Sequence, residues 1–254
     1  MGAGLVEKVA SWTRRQILDT PFEQLARRAY IRLDPSPWGR EDRQTLALMW
    51  RVLRPDSNCI DVGAHRGSIL GEIVRRAPRG SHFAFEPIPE HRRYLSRTFP
   101  TVRVFEIALS DRKGQAEFAH NVRHPTRSGF KPPLIPDEPI ETILVQTDCL
   151  ASLIPASLPI HFIKVDVEGA ELFVFRGAVQ TLRASRPVVV FEHTPMSQRR
   201  YGAAPEDVFD LLTKDCALRV STMSVWLRHG APLGRVEFCA RVAERAANNF
   251  VAHP

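Results

Sequence analysis

Apolar and polar positions change rhythm once along this chain. Up to residue 54 the apolar residues recur three and four apart in LVEKVASWTRRQIL, PFEQLARRAYIRL and REDRQTLALMWRVL. That spacing predicts three helices, with a break at Asp34-Pro35-Ser36-Pro37 before the third. From residue 58 short apolar runs alternate with amphipathic stretches. NCIDV, HFAFE, VRVFEIAL, IHFIKVDV and PVVVFEH read as strands. SILGEIVRRA, PEHRRYLSRTF, AELFVFRGAVQTLRA and PEDVFDLLTKD read as helices. Towards the end ALRVSTM, RVEFCARV and NNFVAHP read as further strands. Wholly apolar strands set between amphipathic helices predict an α/β fold, a doubly wound and mostly parallel sheet with helices on both faces. The expected organisation is a helical N-terminal extension over 1–54 and one domain over 55–254. Residues 119–139, AHNVRHPTRSGFKPPLIPDEP, are proline-rich and aperiodic. A loop of that length suits a lid or a substrate loop, and its pattern fits a surface insertion equally well.

The stretch CIDVGAHRG, residues 59–67, is where the first strand runs into a turn. In a doubly wound sheet ligands bind beyond the carboxyl ends of the strands. Gly63 would let backbone approach a ligand and Gly67 would open the next helix. The spacing is D-x-G-x-x-x-G, not the G-x-G-x-x-G of dinucleotide folds. A carboxylate at Asp61 would repel a pyrophosphate and would suit a cationic ligand. S-adenosylmethionine carries an ammonium and a sulfonium and no phosphate. HFAFEPIPE then places Glu86 at the end of the second strand, where an acid accepts both hydroxyls of a ribose. Ile88 would lie against an adenine face, and Asp111 of EIALSD would reach the adenine amino group.

These stretches, together with VQTDCLASL, FIKVDVEGAELFVFRGA and PVVVFEHTP, resemble the FkbM family of S-adenosylmethionine-dependent methyltransferases over about residues 55–200. The resemblance implies a Rossmann-like class I methyltransferase with a seven-stranded sheet. It implies O-methylation of a hydroxyl, with a sugar, oligosaccharide or glycosylated metabolite as the expected acceptor. Cofactor contacts are expected from Asp61, Gly63, Ala64, His65, Gly67, Glu86, Pro87, Ile88, Ala108, Ser110, Asp111 and Asp166. His65 departs from the family, which often has Asn there.

Methyl transfer needs an acceptor held in line and relieved of its proton. Asp166 and Glu168 end the fourth strand of the repeating pattern, and Glu192 and His193 end the fifth. His193 is the leading candidate base, because an unperturbed His titrates near neutral pH. Glu171 opens a helix, where a carboxylate is stabilised by the helix N-terminus. The acid cluster leaves a divalent cation open, with Asp166, Glu168 and His193 as its ligands. In the long loop His124, Arg127, Ser128 and Lys131 are candidate acceptor contacts, and Tyr201 and Trp226 could stack on a sugar ring.

Bulk properties change this picture little. The formal net charge of +7 permits a nucleic-acid partner, but no N-P-P-Y or D-P-P-Y stretch is present and no long block of like charge occurs. A non-catalytic cofactor-binding or partner-binding module remains an alternative. The four cysteines contain no C-x-x-C pair, so a zinc or redox site is not expected. No apolar run spans a bilayer and the N-terminus lacks a secretory pattern, so a cytoplasmic protein is expected. The N-terminal helices are expected to cap the domain or to pair two copies.

Overall fold

The computed structural model describes residues 22–134, 138–245 and 247–254. The chain divides into two compact units, residues 1–43 and 44–254. The helix expected over LVEKVASWTRRQIL lies outside the described residues. In the first unit α1 (Glu23–Leu33) is followed by the predicted break and the start of α2 (Pro37–Val52). Arg27 pairs with Glu23 one turn away, and Arg43 donates to the carbonyls of Ile31 and Asp34.

In the second unit β1 (Cys59–Val62), α3 (Ser68–Arg76), β2 (His82–Phe85), α4 (Pro89–Thr98) and β3 (Val102–Phe105) follow the predicted alternation. A second, three-stranded sheet comes next, from β4 (Ala108–Leu109), β5 (Gly114–Asn121) and β6 (Ile140–Asp148). The main sheet resumes with β7 (Phe162–Val165), after the short α5 (Leu150–Leu153), and continues through α6 (Glu171–Ser185) and β8 (Val188–Glu192). Then come α7 (Pro195–Tyr201), α8 (Pro205–Asp210), β9 (Arg219–Thr222), α9 (Met223–Leu227), α10 (Arg235–Ala243) and β10 (Asn249–His253). The main sheet has seven strands in the order β3-β2-β1-β7-β8-β10-β9. The β1, β2, β3, β7 and β8 pairings are parallel, and β10 alone runs against its neighbours.

Strand alternation sorts the core onto the two faces of this sheet. Ile60, Val62, Ile163, Val165, Val189 and Phe191 pack with α6, α8 and α10 on one face. Cys59, Phe162 and Val190 pack with Leu48, Met49, Ile73 and Met223 on the other. All four cysteines are free. Among the described residues no helix is long and apolar enough to cross a membrane.

Three sequence expectations change. RVEFCARV forms a helix, α10, and not a strand. Its alternating letters conceal an i, i+4 pair, Phe238 and Val242, which are buried while Val236 is 84% exposed. VRVFEIAL splits into β3 and β4, which belong to different sheets. The strands β5 and β6 went unpredicted. Residues 119–121, assigned by pattern to the long loop, are the end of β5.

Candidate functional site

The order in which strands are added to the sheet reverses between the parallel neighbours β1 and β7, so the carboxyl ends of these two strands frame a crevice. The turn after β1 is held by Gly63 and Ala64 N–H groups, both donating to the Phe85 carbonyl at 2.9 and 3.2 Å. Gly63 has φ +75°, and a Cβ there would lie 1.9 Å from the Asp166 carbonyl oxygen. The glycine is therefore demanded by the closeness of two strand ends, before any ligand is considered. Gly67, at φ +76°, opens α3 against the rings and methyls of Phe99 and Leu95. Both it and Ala64 stand behind the crevice wall.

Asp61 does not face the crevice, contrary to expectation. It is 3% exposed, accepts a backbone hydrogen bond from Leu70 and lies beside Lys164. Burial, with Asp166 and Glu86 nearby, pushes its carboxyl up to about 7 despite the Lys164 ammonium. Its work is to tie β1 to the first turn of α3.

Glu86 is the fixed point of the site. Its Oε2 accepts the His65 N–H at 2.8 Å and its Oε1 accepts the Ile88 N–H at 3.0 Å. His65 sits in the left-handed region at φ +48°, its ring edge-on to that of His91 at 4.4 Å. A cleft of about 590 Å³, counting its solvent-open part, runs past these groups. Gly63, His65, Glu86, Pro87, Ile88 and Ala108 line one side. Phe118 and Phe130, edge-to-face at 5.8 Å, line the other with Leu109. Phe118 was not anticipated, because the strand that carries it was missed. Ser110 and Asp111 lie off the cleft. The Ser110 hydroxyl turns to the Asp111 carboxylate, and Ala108 with Leu109 takes the wall position instead.

At its far end the cleft reaches Asp166, Val167 and Glu168. Here the sheet brings together a set that the linear motif only hints at. Lys164 is buried on β7, in register with Asp61 on β1, and its ammonium lies 2.8 Å from Asp166 Oδ2. Burial alone would lower this ammonium, but Asp166, Asp61 and Glu192 around it hold it above its ordinary range. Glu192 is pushed well up by burial, then by Asp166, Glu168 and Glu171. Glu168 is pushed up to about 8 by burial, Asp166 and Glu171, against the pull of Arg200 and Arg127. Its backbone is left-handed at φ +55°, an arrangement that costs about 1–3 kcal/mol in a non-glycine residue and clusters at functional sites. Glu171 faces away from the cleft. Its Oε1 accepts the N–H groups of Val167 and Gly169 and so closes the turn into α6.

His193 does not join this set. Phe162, Lys164 and Asp166 alternate with Ile163 and Val165, and Val190 and Glu192 alternate with Phe191 and His193. The carboxylates therefore share a face with Lys164, and His193 points to the opposite one. Its ring is fully buried and lies nearly parallel to Phe238 at 6.2 Å, and neither nitrogen has a hydrogen-bond partner among the described residues. Burial pushes its pKa down to about 4. His193→Leu is accordingly expected to leave turnover unchanged. A neutral His must be charged on unfolding below its usual 6.5, so stability supplied by the neutral ring is lost as pH falls from 6.5 through about 4. Acid titration of unfolding checks this: the variant's midpoint moves to lower pH, and wild-type acid sensitivity with a large loss of turnover would restore His193 to the site.

The long loop does form the outer wall, through Pro125, Thr126, Ser128, Gly129 and Phe130. Its predicted polar residues also hold the loop together. The Ser128 hydroxyl accepts the Asn121 N–H, His124 N–H donates to the Asn121 side chain, and Arg127 pairs with Glu138. Lys131 places its ammonium 5.9 Å from the centre of the Tyr201 ring, outside the cleft, and Tyr201 packs on Gly169. Trp226 packs into the core beside Met223.

The profile of the Methyltransferase FkbM domain matches residues 61–220, a span that contains every cleft residue named above. The chain belongs to the FkbM methyltransferase family. A crystal structure of methyltransferase FkbM from Methylobacillus flagellatus has the same fold, with 16% identity, a TM-score of 0.51 and coverage of 99% of this chain and 60% of that one. Among curated relatives, the 2-O-methyltransferase NoeI of Sinorhizobium fredii is 28% identical over 163 residues, 57% of this chain and 65% of that protein. AMB antimetabolite synthetase AmbE of Pseudomonas aeruginosa is 42% identical over 83 residues, 31% of this chain and 4% of that protein. The chain thus spans less than two thirds of each of these curated relatives. For this FkbM chain the metal expectation also shifts. Asp166, Glu168 and Glu192 offer carboxylate oxygens within 4.8 Å of one another, with Glu192 where His193 was expected. The Lys164 ammonium already stands as the cation beside Asp166.

Proposed function

We propose that this methyltransferase transfers the methyl group of S-adenosylmethionine to a hydroxyl of a sugar, oligosaccharide or glycosylated metabolite. The observation that carries the reading is Glu86, buried at the cleft wall and oriented by two backbone donors, with apolar walls to one side and the Asp166–Glu168 acid cluster to the other. Glu86 would accept the ribose hydroxyls with its remaining lone pairs. Ile88, Ala108, Phe118 and Phe130 form a slot for a flat base. Asp166, whose side chain is 44% exposed, would meet an ammonium. When bound, the cofactor supplies a methyl group activated by sulfonium.

Glu168 is the candidate base. It lines the cleft, whereas Glu192 lies beyond it, and a carboxylate held near 8 is far more basic than an ordinary one. The loop at 125–130 shields this end from water. A hydroxyl acceptor fits because ionised Glu168, on the cleft wall, can accept the proton that the oxygen must lose. Nucleic-acid phosphates would meet this acid cluster unfavourably, which weighs against the basic net charge. The relative named as a 2-O-methyltransferase supports an oxygen acceptor.

Calorimetric titration with S-adenosylhomocysteine, with and without EDTA, tests the cofactor half of this reading. Binding at micromolar or tighter affinity is expected. Glu86→Ala is expected to weaken it at least about tenfold, the worth of a charge-assisted hydrogen bond. Unchanged affinity in that variant would remove the ribose assignment. A methyl-transfer screen over sugars and glycosides then tests the acceptor.

A further inference from the structure

Arg200 was not singled out by its sequence context, yet it stands at a junction. It lies on α7 and is 4% exposed. Its Nη1 donates to the Glu168 carbonyl at 2.9 Å, and its Nη2 donates to the Lys131 carbonyl of the long loop. Those two acceptors sit on segments far apart in sequence, Glu168 on the cleft wall and Lys131 next to the loop residues that line it. The neighbouring side chain repeats the link. Lys131 N–H faces the Tyr201 hydroxyl at 3.4 Å, while the Tyr201 ring packs on Gly169, the residue after Glu168. Gly129 fits against the same pair so closely that a Cβ there would come 2.7 Å from the Tyr201 hydroxyl and 3.1 Å from Arg200 Nη2.

We propose that Arg200 is a positioning residue that couples docking of loop residues 128–131 to the placement of Glu168, so that the outer wall of the cleft and the candidate base assemble together. The guanidinium suits this work because its donors diverge in a rigid plane, and two of them are aimed at carbonyls on different segments. Burial strengthens the link, since a carbonyl that lost its donor there would be left without water to replace it. Glu168 needs such a hold because its left-handed backbone persists only when its surroundings determine it. The other end of the turn is fixed independently, by Glu171 on the N–H groups of Val167 and Gly169. The loop has its own anchor on β5, where Gly129 and Ala119 exchange backbone hydrogen bonds. Arg200 therefore joins two units that are each partly secured. That Glu168 is the base rests on the function proposed above; the coupling itself does not.

Amide hydrogen exchange on the ligand-free full chain tests the coupling without any activity. Gly129→Ala presses on Tyr201 and Arg200 from the loop side and touches nothing at Glu168. Exchange at residues 128–131 is expected to rise about tenfold or more, and exchange at 167–170 to rise with it. Arg200→Met should raise both regions together, with Arg200→Lys restoring one at most, since one ammonium cannot span two carbonyls in the same way. Faster exchange at 128–131 in Gly129→Ala with wild-type exchange at 167–170 would overturn the proposal, whether or not Arg200→Met folds. In an active preparation the pH dependence of turnover should shift in Gly129→Ala as well. Failure of the wild type to bind S-adenosylhomocysteine would count against the cofactor reading and leave the exchange result standing.

Discussion

Glu168→Gln is expected to lower turnover about 10²–10⁴-fold while leaving affinity for S-adenosylhomocysteine nearly unchanged. The glutamine keeps the side-chain volume and its place on the cleft wall but cannot take a proton. In the wild type the carboxyl is held near 8, first by burial and then by Asp166 and Glu171. Only the ionised form is a base, so wild-type turnover should climb about tenfold per pH unit and level off above about 8. The variant should lose that limb altogether. Stability moves the other way. A carboxyl with a raised folded pKa favours the fold only while protonated, so its contribution is full below the unfolded value of 4.5 and is lost as pH rises through about 8. Removing the titration should therefore stabilise the protein at neutral and alkaline pH by roughly 1–3 kcal/mol, the usual exchange between activity and stability at such a site. Turnover and thermal unfolding across pH 5–9 check both halves. A retained alkaline limb would remove Glu168 as the base.

Gly63→Ala is expected to destabilise the fold by about 3 kcal/mol or more. Two penalties fall on one methyl group. It would lie 1.9 Å from the Asp166 carbonyl oxygen, which is backbone and cannot swing aside, and it would sit on a residue at φ +75°. The Asp166 N–H is also bound to the Val62 carbonyl at 3.0 Å, so β1 and β7 cannot separate without losing a ladder bond. Urea unfolding followed by far-UV circular dichroism measures the cost. A midpoint close to wild type would mean that the strand ends can part cheaply, and that the crevice is less rigid than its bonds imply. Cofactor affinity should fall with stability, because the same movement displaces Asp166 from the cleft.

Much of this architecture was legible before any coordinates. Apolar strands between amphipathic helices dictate a two-sided parallel sheet, because each strand must be covered on both faces. The order of the motifs along the chain put Gly63, Glu86, Asp166 and Glu168 at strand ends, and all four line one cleft. Local patterns carry that information because they are repeated over many residues and every repeat favours the same element. RVEFCARV misled because eight residues satisfy two periods at once, and only burial of Phe238 and Val242 with exposure of Val236 separates them. The two-residue period also held a signal that went unread. It places Lys164, Asp166 and Glu192 on one face and turns His193 to the other, away from the carboxylates.

What the tertiary structure alone decided concerns partners distant in sequence. Asp61 braces β1 against α3 because Leu70 and Lys164 reach it. Arg127 is already paired with Glu138, and Ser128 holds the Asn121 N–H. Arg200 matters only because α7 carries it between Glu168 and Lys131. The physical reason is common to all of these. A polar side chain acts through the hydrogen bonds it has left over, and those are known only once packing has brought every competing donor and acceptor to it.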